Sequence, residues 1–363
     1  MHNARLVVAI LTVVMTLLTL LPLSRNQRWW VRVWDFPRLQ MAVLSLIFLL
    51  IELCLLPGGG PLAWFIVLLA LGCTVYQSWW IFPYTGLAKI QVKKTPASEH
   101  SRIKIINCNV LMTNRKSGKL LEIIGKNQPD VIVLLETDRW WELQMSPLDA
   151  EYPHSLKCPL DNLYGMHVYS RLPLFEAKVQ YLVAEGIPSM HFRVALSGGE
   201  QVVMHCLHPM PPSPTEDDES TNRDGELIAV GHTAARASYP TIVTGDLNDV
   251  AWSRTTRLFM KISGLLDPRR GRGMFNTFHA SYPFLRWPLD HVFHSKEFTL
   301  VDLKRLEPMG SDHFPIMVEL ALNPQAGSTQ EKLEIEQGDI EEAREKMNNA
   351  GIKSRDVHQA EFC

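Results

Sequence analysis

The sequence predicts an α/β (α+β) protein, a four-layer α/β/β/α sandwich of two packed sheets preceded by three transmembrane helices. Three observations carry that prediction. The first hundred residues hold three long apolar runs with almost no charge inside them. From about residue 101 the texture changes to short β-branched runs that alternate with helix-spaced ones. That region divides into two strand–helix–strand halves of similar build, which bury their apolar faces as two sheets packed together with helices outside. The predicted division is a membrane anchor over residues 1–100, a folded domain over 101–323 and an acidic polar tail over 324–363.

The anchor comes first in the chain. Residues 6–23 form an unbroken run of apolar residues and Thr, long enough to cross a hydrocarbon core of roughly 30 Å. A second run, 41–57, is interrupted by Glu52. The third, 62–82, ends among Trp79, Trp80 and Tyr84, residues that favour a membrane interface. A cleaved signal peptide would need a small-residue cleavage site after the first run, and two more apolar runs follow instead. Buried soluble helices would show an amphipathic stripe, which these runs lack. Arg25, Arg28, Arg32 and Arg38 lie in the first loop, and Lys89, Lys93 and Lys94 follow the third run. Three spans put these two segments on one side, opposite Arg5 and the uncharged Gly58–Gly60 turn. The positive-inside rule then assigns the folded domain to the cytoplasm, with a periplasmic domain as the alternative. Cys108, Cys158 and Cys206 have no disulfide spacing and fit free thiols or core residues equally well.

The formal net charge is −2, with a basic first hundred residues and an acidic remainder. A dedicated duplex-DNA binder would carry a basic excess on its folded domain, so this balance argues against that class. Along the domain, residues 103–110 alternate as a strand, and 117–126 carry helical spacing before Pro129. Residues 131–135 read as a buried strand. Residues 192–196 and 201–207 predict a strand pair across the Ser197-Gly198-Gly199 turn. A helix at 223–237, a strand at 241–244 and a helix at 254–262 follow. Strands at 291–294 and 315–320 complete the series. Residues 209–218, rich in Pro and acids, read as an exposed, mobile loop.

Polar groups gather where these strands end. Asn109 lies in Asn107-Cys108-Asn109-Val110, and Glu136 closes Pro129-Asp130-Val131-Ile132-Val133-Leu134-Leu135-Glu136. His208 ends the strand before Pro209. Asp246 and Asn248 stand in Gly245-Asp246-Leu247-Asn248, Asp290 in Leu289-Asp290-His291, and Asp312 and His313 in Gly310-Ser311-Asp312-His313. Taken singly, each is commonplace, since carboxylates often cap helices and Asn-Asp pairs mark turns. Together, carboxylates, amides and imidazoles from separate strand ends make up a hard-metal phosphoester site. Mg²⁺ takes oxygen ligands and needs only one or two carboxylates, with Mn²⁺ as an alternative occupant. A His can deprotonate water while a neighbouring Asp orients it.

In this order the six segments resemble the endonuclease/exonuclease/phosphatase superfamily over about residues 101–322. Tyr164-Gly165 through Ser170-Arg171-Leu172-Pro173-Leu174 is similar to the family's central strand and turn. The resemblance implies that Glu136 is the principal metal ligand, helped by Asn109, with Asp312 a further ligand. It implies His313 as general base or charge partner at the phosphate, oriented by Asp290. Asp246 would position the attacking water, Asn248 would hold a phosphate oxygen, and His208 would stabilise the transition state or assist the leaving group. The three-span anchor resembles that of bacterial inner-membrane members. Two departures, Leu135 for a common Gln and Thr277-Phe278 for a common Thr-Trp, remove no catalytic group.

The implied partners are a phosphate-ester substrate, nucleic acid or lipid, and a lipid bilayer. No protein partner follows from the sequence. A silent membrane scaffold is the rival reading, and it would predict a missing His or Glu. The Trp140-Trp141 pair reads as core or as a stacking surface, and His291 as a structural histidine. Arg269, Arg270 and Arg272 form a basic loop that either grips an anion or is solvated. The tail from Gln325, with a helical stretch over 331–347, reads as a disordered or loosely helical extension.

Overall fold

The computed structural model describes residues 2–55, 57, 60–95 and 101–359. The Gly58–Gly60 turn lies outside these residues except for Gly60. Chain order begins with helices α1 (His2–Leu20), α2 (Trp29–Arg32), α3 (Arg38–Leu55) and α4 (Pro61–Ile81). Strand β1 (Arg102–Asn109), helix α5 (Ser117–Asn127) and β2 (Val131–Leu135) open the second region, followed by α6 (Arg139–Gln144). Strands β3 (His154–Cys158), β4 (Met166–Ser170), β5 (Leu174–Gln180), β6 (Ser189–Ala195) and β7 (Gln201–Leu207) come next. Helix α7 (Thr221–Arg236), β8 (Thr241–Asp246), α8 (Arg254–Ser263), β9 (Asp290–His294), β10 (Phe298–Arg305), β11 (Ile316–Leu322) and α9 (Asp339–Asn349) complete the chain.

The strands form two mixed sheets, in the orders β10-β11-β1-β2-β4-β3 and β5-β6-β7-β8-β9. Each sheet has one parallel pair, β1 with β2 and β7 with β8, crossed by α5 and α7 respectively. A parallel pair requires such a crossover, and its helix covers the outer face. The inner faces meet in one apolar core, including Ile103, Ile105, Val133, Phe192, Met204, Ile242 and Leu320. Outside, α5 and Trp141 cover the first sheet, and α7 and α8 cover the second. The four-layer sandwich is the predicted fold. Strands β3, β5 and β10 escaped prediction because each lies at a sheet edge or beside it, where one-sided burial blurs the alternation. β5 is mostly exposed, and β10 is broken by a register shift at Leu300 and Asp302.

The N-terminal region has three helices long and apolar enough to cross a membrane, Asn3–Leu23, Arg38–Leu55 and Pro61–Tyr84. Glu52, the one charge within the second run, is buried. Arg38 is buried too, bonded to Asp35 at 2.5 Å and Gln77 at 3.0 Å.

The tail corrects the expectation of a loose extension. Helix α9 lies against α7 and α8, and Ala343, Ile352 and Val357 are buried in the second sheet's outer core. Lys346 reaches Asp224 at 2.7 Å, and Lys261 reaches Asp339 at 2.9 Å. The segment's polar composition concealed a few apolar residues on one side and charges matched to α7 and α8. The 209–218 loop is likewise held at its end, where the Trp29 N–H donates to the Asp218 carbonyl at 2.9 Å.

Candidate active site

The site grows out of strand alternation. On β1 the inner face runs Ile103, Ile105, Asn107, Asn109, turning from apolar to polar at the C-terminal end. β7 continues Val202, Met204 and Cys206 into His208, and β8 places Ile242, Thr244 and Asp246 in the same way. Asp290 and Val292 share the inner face of β9. All of these polar groups therefore converge at one mouth of the gap between the sheets. Glu136 and Asn248 hold left-handed backbone conformations, with φ of 61° and 50°. Asn tolerates that region, but Glu pays for it, and such local strain collects where a side chain must be aimed.

Two hydrogen-bonded groups meet there. In the first, the Asn109 amide Nδ2 donates to Glu136 Oε1 at 2.7 Å and to Asp246 Oδ2 at 3.2 Å. The Met112 N–H donates to the other Glu136 oxygen at 3.3 Å. In the second, His313 Nδ1 lies 2.8 Å from Asp290 Oδ2, and its Nε2 lies 3.4 Å from Asp246 Oδ2. Asp290 Oδ1 accepts from the Asn107 amide at 2.9 Å. His208 Nε2 stands 4.0 Å from Asp246, and its Nδ1 has no partner among the described residues. Asn248 donates its N–H to Asp246 at 3.0 Å and its amide Nδ2 to the Pro209 carbonyl at 3.0 Å. Asp312 is half-buried and accepts from Ser311 Oγ at 3.3 Å.

Burial works against charge throughout this mouth. It pushes the Glu136 carboxyl up to about 7, against the Asn109 hydrogen bond and with Asp312 and Asp246 adding to the rise. It also lowers His313, but Asp246, Asp290 and the Asp290 hydrogen bond outweigh it and raise the imidazole to about 10. His208 falls to about 4, chiefly through burial, and is a neutral imidazole. The Asp246 carboxyl is raised, again chiefly by burial.

A model of the Endonuclease/Exonuclease/phosphatase family matches residues 106–313, more than half of the chain. The chain belongs to this family. Its fold is that of other family structures, including D. rerio TDP2 complexed with a single-strand DNA product. That pair shares 17% identity at a TM-score of 0.50, covering 61% of this chain and 99% of the other. The human Nocturnin catalytic domain with bound sulfate is similar at 16% identity and a TM-score of 0.50, covering 62% and 96%. No curated protein matches the chain.

The family's divalent metal suits the residues present. Asp246, Asp290 and His313 each offer one ligand atom within 4.8 Å of the others. That group is already satisfied internally, because His313 Nδ1 lies 2.8 Å from Asp290 and its Nε2 3.4 Å from Asp246. The carboxylate side is different. Glu136, Asp246 and Asp312 crowd together with hard oxygen donors, and Glu136 and Asp246 both turn toward one amide nitrogen. A small cation with oxygen preference relieves that crowding.

Two of the features left open by sequence have structural roles, and Arg269 supports the site from behind through the Asp290 carbonyl at 3.3 Å. Arg269 is buried, bonded to Asp267 at 2.8 Å and to His291 Nδ1 at 2.7 Å, so it braces the fold and does not grip an anion. Trp141 is core, while Trp140 stacks beneath Arg115. Sequence reasoning missed three residues. Asn107 orients Asp290, and its signal was the period of two that pairs it with Asn109. Tyr164 lies 5.1 Å from His208 ring to ring, and its hydroxyl donates to Glu216. Nothing local to Glu216 announces that contact.

Proposed function

We propose that the protein is a membrane-anchored, metal-dependent phosphoesterase that hydrolyses a phosphodiester by attack of water. The observation that carries this reading is the Asn107–Asp290–His313–Asp246 series meeting Glu136 and Asn109 at one buried mouth. Glu136 and Asn109, with Asp312 as a further ligand, would hold a divalent cation, Mg²⁺ or Mn²⁺ in its place, which would supply positive charge against the phosphate oxygens. His313, oriented by Asp290, acts as the charge partner of the attacked phosphate. Asp246 accepts a hydrogen bond from the attacking water. Asn248 holds a phosphate oxygen through its second amide hydrogen. His208, neutral and with a free Nδ1, stabilises the transition state or assists the leaving group. Preorganised charge of this kind is the main catalytic term in phosphoryl chemistry.

Helices α1, α3 and α4 cross a cell inner membrane in this reading, and the basic segments Arg25–Arg38 and Lys89–Lys94 keep the domain in the cytoplasm. The substrate is a phosphate ester of nucleic acid or lipid. A silent scaffold is disfavoured because no member of the constellation is lost. The test is hydrolysis by the full chain in detergent, on supercoiled DNA, single-stranded RNA and phospholipid, with Mg²⁺ or with EDTA. Turnover that EDTA abolishes and Mg²⁺ restores supports the reading. A folded protein that binds no Mg²⁺ and cleaves nothing returns the scaffold.

A further inference from the structure

The anchor is seated on the loops that build the active-site mouth. Beyond His208, the Ser220 N–H donates to the Gln27 carbonyl at 2.8 Å, next to the Trp29–Asp218 bond. Beyond Asn248, Trp252 Nε1 donates to the Asp35 carbonyl at 2.8 Å, and the Tyr84 hydroxyl to the Ala251 carbonyl at 2.6 Å. Before Asp290, Gln40 donates to the Phe284 carbonyl at 2.8 Å. An aromatic series joins the anchor to the catalytic histidine. Phe36 meets Trp287 at 5.8 Å between centroids, Trp287 meets Phe278 at 6.1 Å, and Phe278 meets His313 at 4.9 Å.

The loop over residues 280–286 leaves the site with the Ala280 N–H bonded to the Asp312 carbonyl at 2.7 Å. It ends against Gln40, in the first turn of α3. Gln40 lies one residue before the predicted 41–57 run and inside the Arg38–Leu55 helix, so the bond ties the loop tip to the end of a predicted span. There the loop presents Tyr282, Phe284 and Leu285, which are 58%, 86% and 49% exposed. On α3, next to Gln40 in the sequence, Leu39 and Val43 are exposed as well. Grouped aromatic and aliphatic side chains at this level partition into the headgroup–acyl boundary. Beside His313, Arg286 and Arg305 lie 5.0 and 4.4 Å from the Phe314 ring, and neither pairs with a carboxylate among the described residues. Two unneutralised guanidinium groups at the rim favour an anionic surface.

We infer that the 280–286 rim is embedded in the bilayer surface and that the site hydrolyses the headgroup phosphodiester of an anionic membrane phospholipid. This rests on the phosphoesterase and anchor reading given above. A nucleic acid would have to reach the same mouth across an apolar rim and past the docked helices. The lipid phosphate already lies at its level.

The test uses the full chain in vesicles of phosphatidylglycerol and phosphatidylcholine, with the water-soluble bis(p-nitrophenyl) phosphate as a second substrate. The double variant Phe284→Asp, Leu285→Asp is expected to lose about tenfold on vesicle lipid and keep turnover of the soluble diester within about twofold. Separately, a solvent-sensitive fluorophore on Phe284→Cys is expected to be quenched by nitroxide lipids at interfacial depth. An unquenched label, or lipid turnover indifferent to the variant, overturns the inference. So does faster cleavage of RNA or DNA than of lipid. A wild-type protein inert on both the vesicle lipid and the soluble diester fails the phosphoesterase reading instead, while the label still reports whether the rim is embedded.

Discussion

Asn107 and Asn109 lie two residues apart on β1 and do different work at its end. Asn109 reaches the carboxylates of Glu136 and Asp246, and Asn107 holds Asp290, which in turn holds His313. His313→Ala is expected to reduce turnover by about 10²–10⁴-fold, the usual range for a positioned acid–base group. Asn107 touches no substrate, so Asn107→Ala is expected to lower kcat about tenfold with KM nearly unchanged, since an unsatisfied buried partner costs about 1–3 kcal/mol. Steady-state kinetics on one soluble diester measures both. The convergence of Glu136, Asp246, Asn248 and His313 was legible in the sequence because each stands in a short motif at the end of a strand or in the loop between two strands. The partnership of Tyr164 with Glu216 was not, because it joins two loops that only the fold brings together.

At the scale of elements, the tail was the part of the sequence most misread. Its charge and polarity suggested solvent, yet α9 covers α7, and Lys346 finds Asp224 far back in the sequence. Asp224 also bonds Arg223, whose Nη1 donates to the Asn248 carbonyl at 2.7 Å, so the tail is linked to the site by three contacts. Lys346→Met is expected to cost about 1–3 kcal/mol in a denaturant titration, because it removes one of the two cations bonded to the buried Asp224 and leaves Arg223 in place. Truncation from Gly327 onward is expected to expose the apolar face of α7 and lower stability further. Glu226, also on α7, is buried with one oxygen unpartnered, and burial raises its carboxyl to about 8. A folded pKa above the unfolded one means its stability is fully present below about 4.5 and is lost as pH rises through about 8. Glu226→Gln is therefore expected to match the wild type in Tm near pH 4.5 and to exceed it increasingly up to pH 8.

Across the whole molecule, composition sufficed to find the three apolar helices, and alternation sufficed for the two-sheet sandwich. How the apolar helices and the domain sit together was illegible, because it depends on single bonds such as Trp252 to Asp35, between residues 217 positions apart. The same limit hid the crowding of Glu136, Asp246 and Asp312, which only the closed fold brings about. A cation that binds this folded cluster and not the unfolded chain must stabilise the protein. Mg²⁺ at a hundredfold over its Kd is expected to add about 2.7 kcal/mol in thermal unfolding, and Glu136→Gln to remove most of that gain.

The most direct measurement is turnover of bis(p-nitrophenyl) phosphate by the full chain in detergent across a Mg²⁺ titration, with wild type, Glu136→Gln and His313→Ala in parallel. Saturable Mg²⁺-dependent hydrolysis is expected of the wild type, silenced by EDTA and lost in both variants. Undiminished hydrolysis in either folded variant, or wild-type turnover indifferent to EDTA, would contradict the metal-dependent phosphoesterase reading.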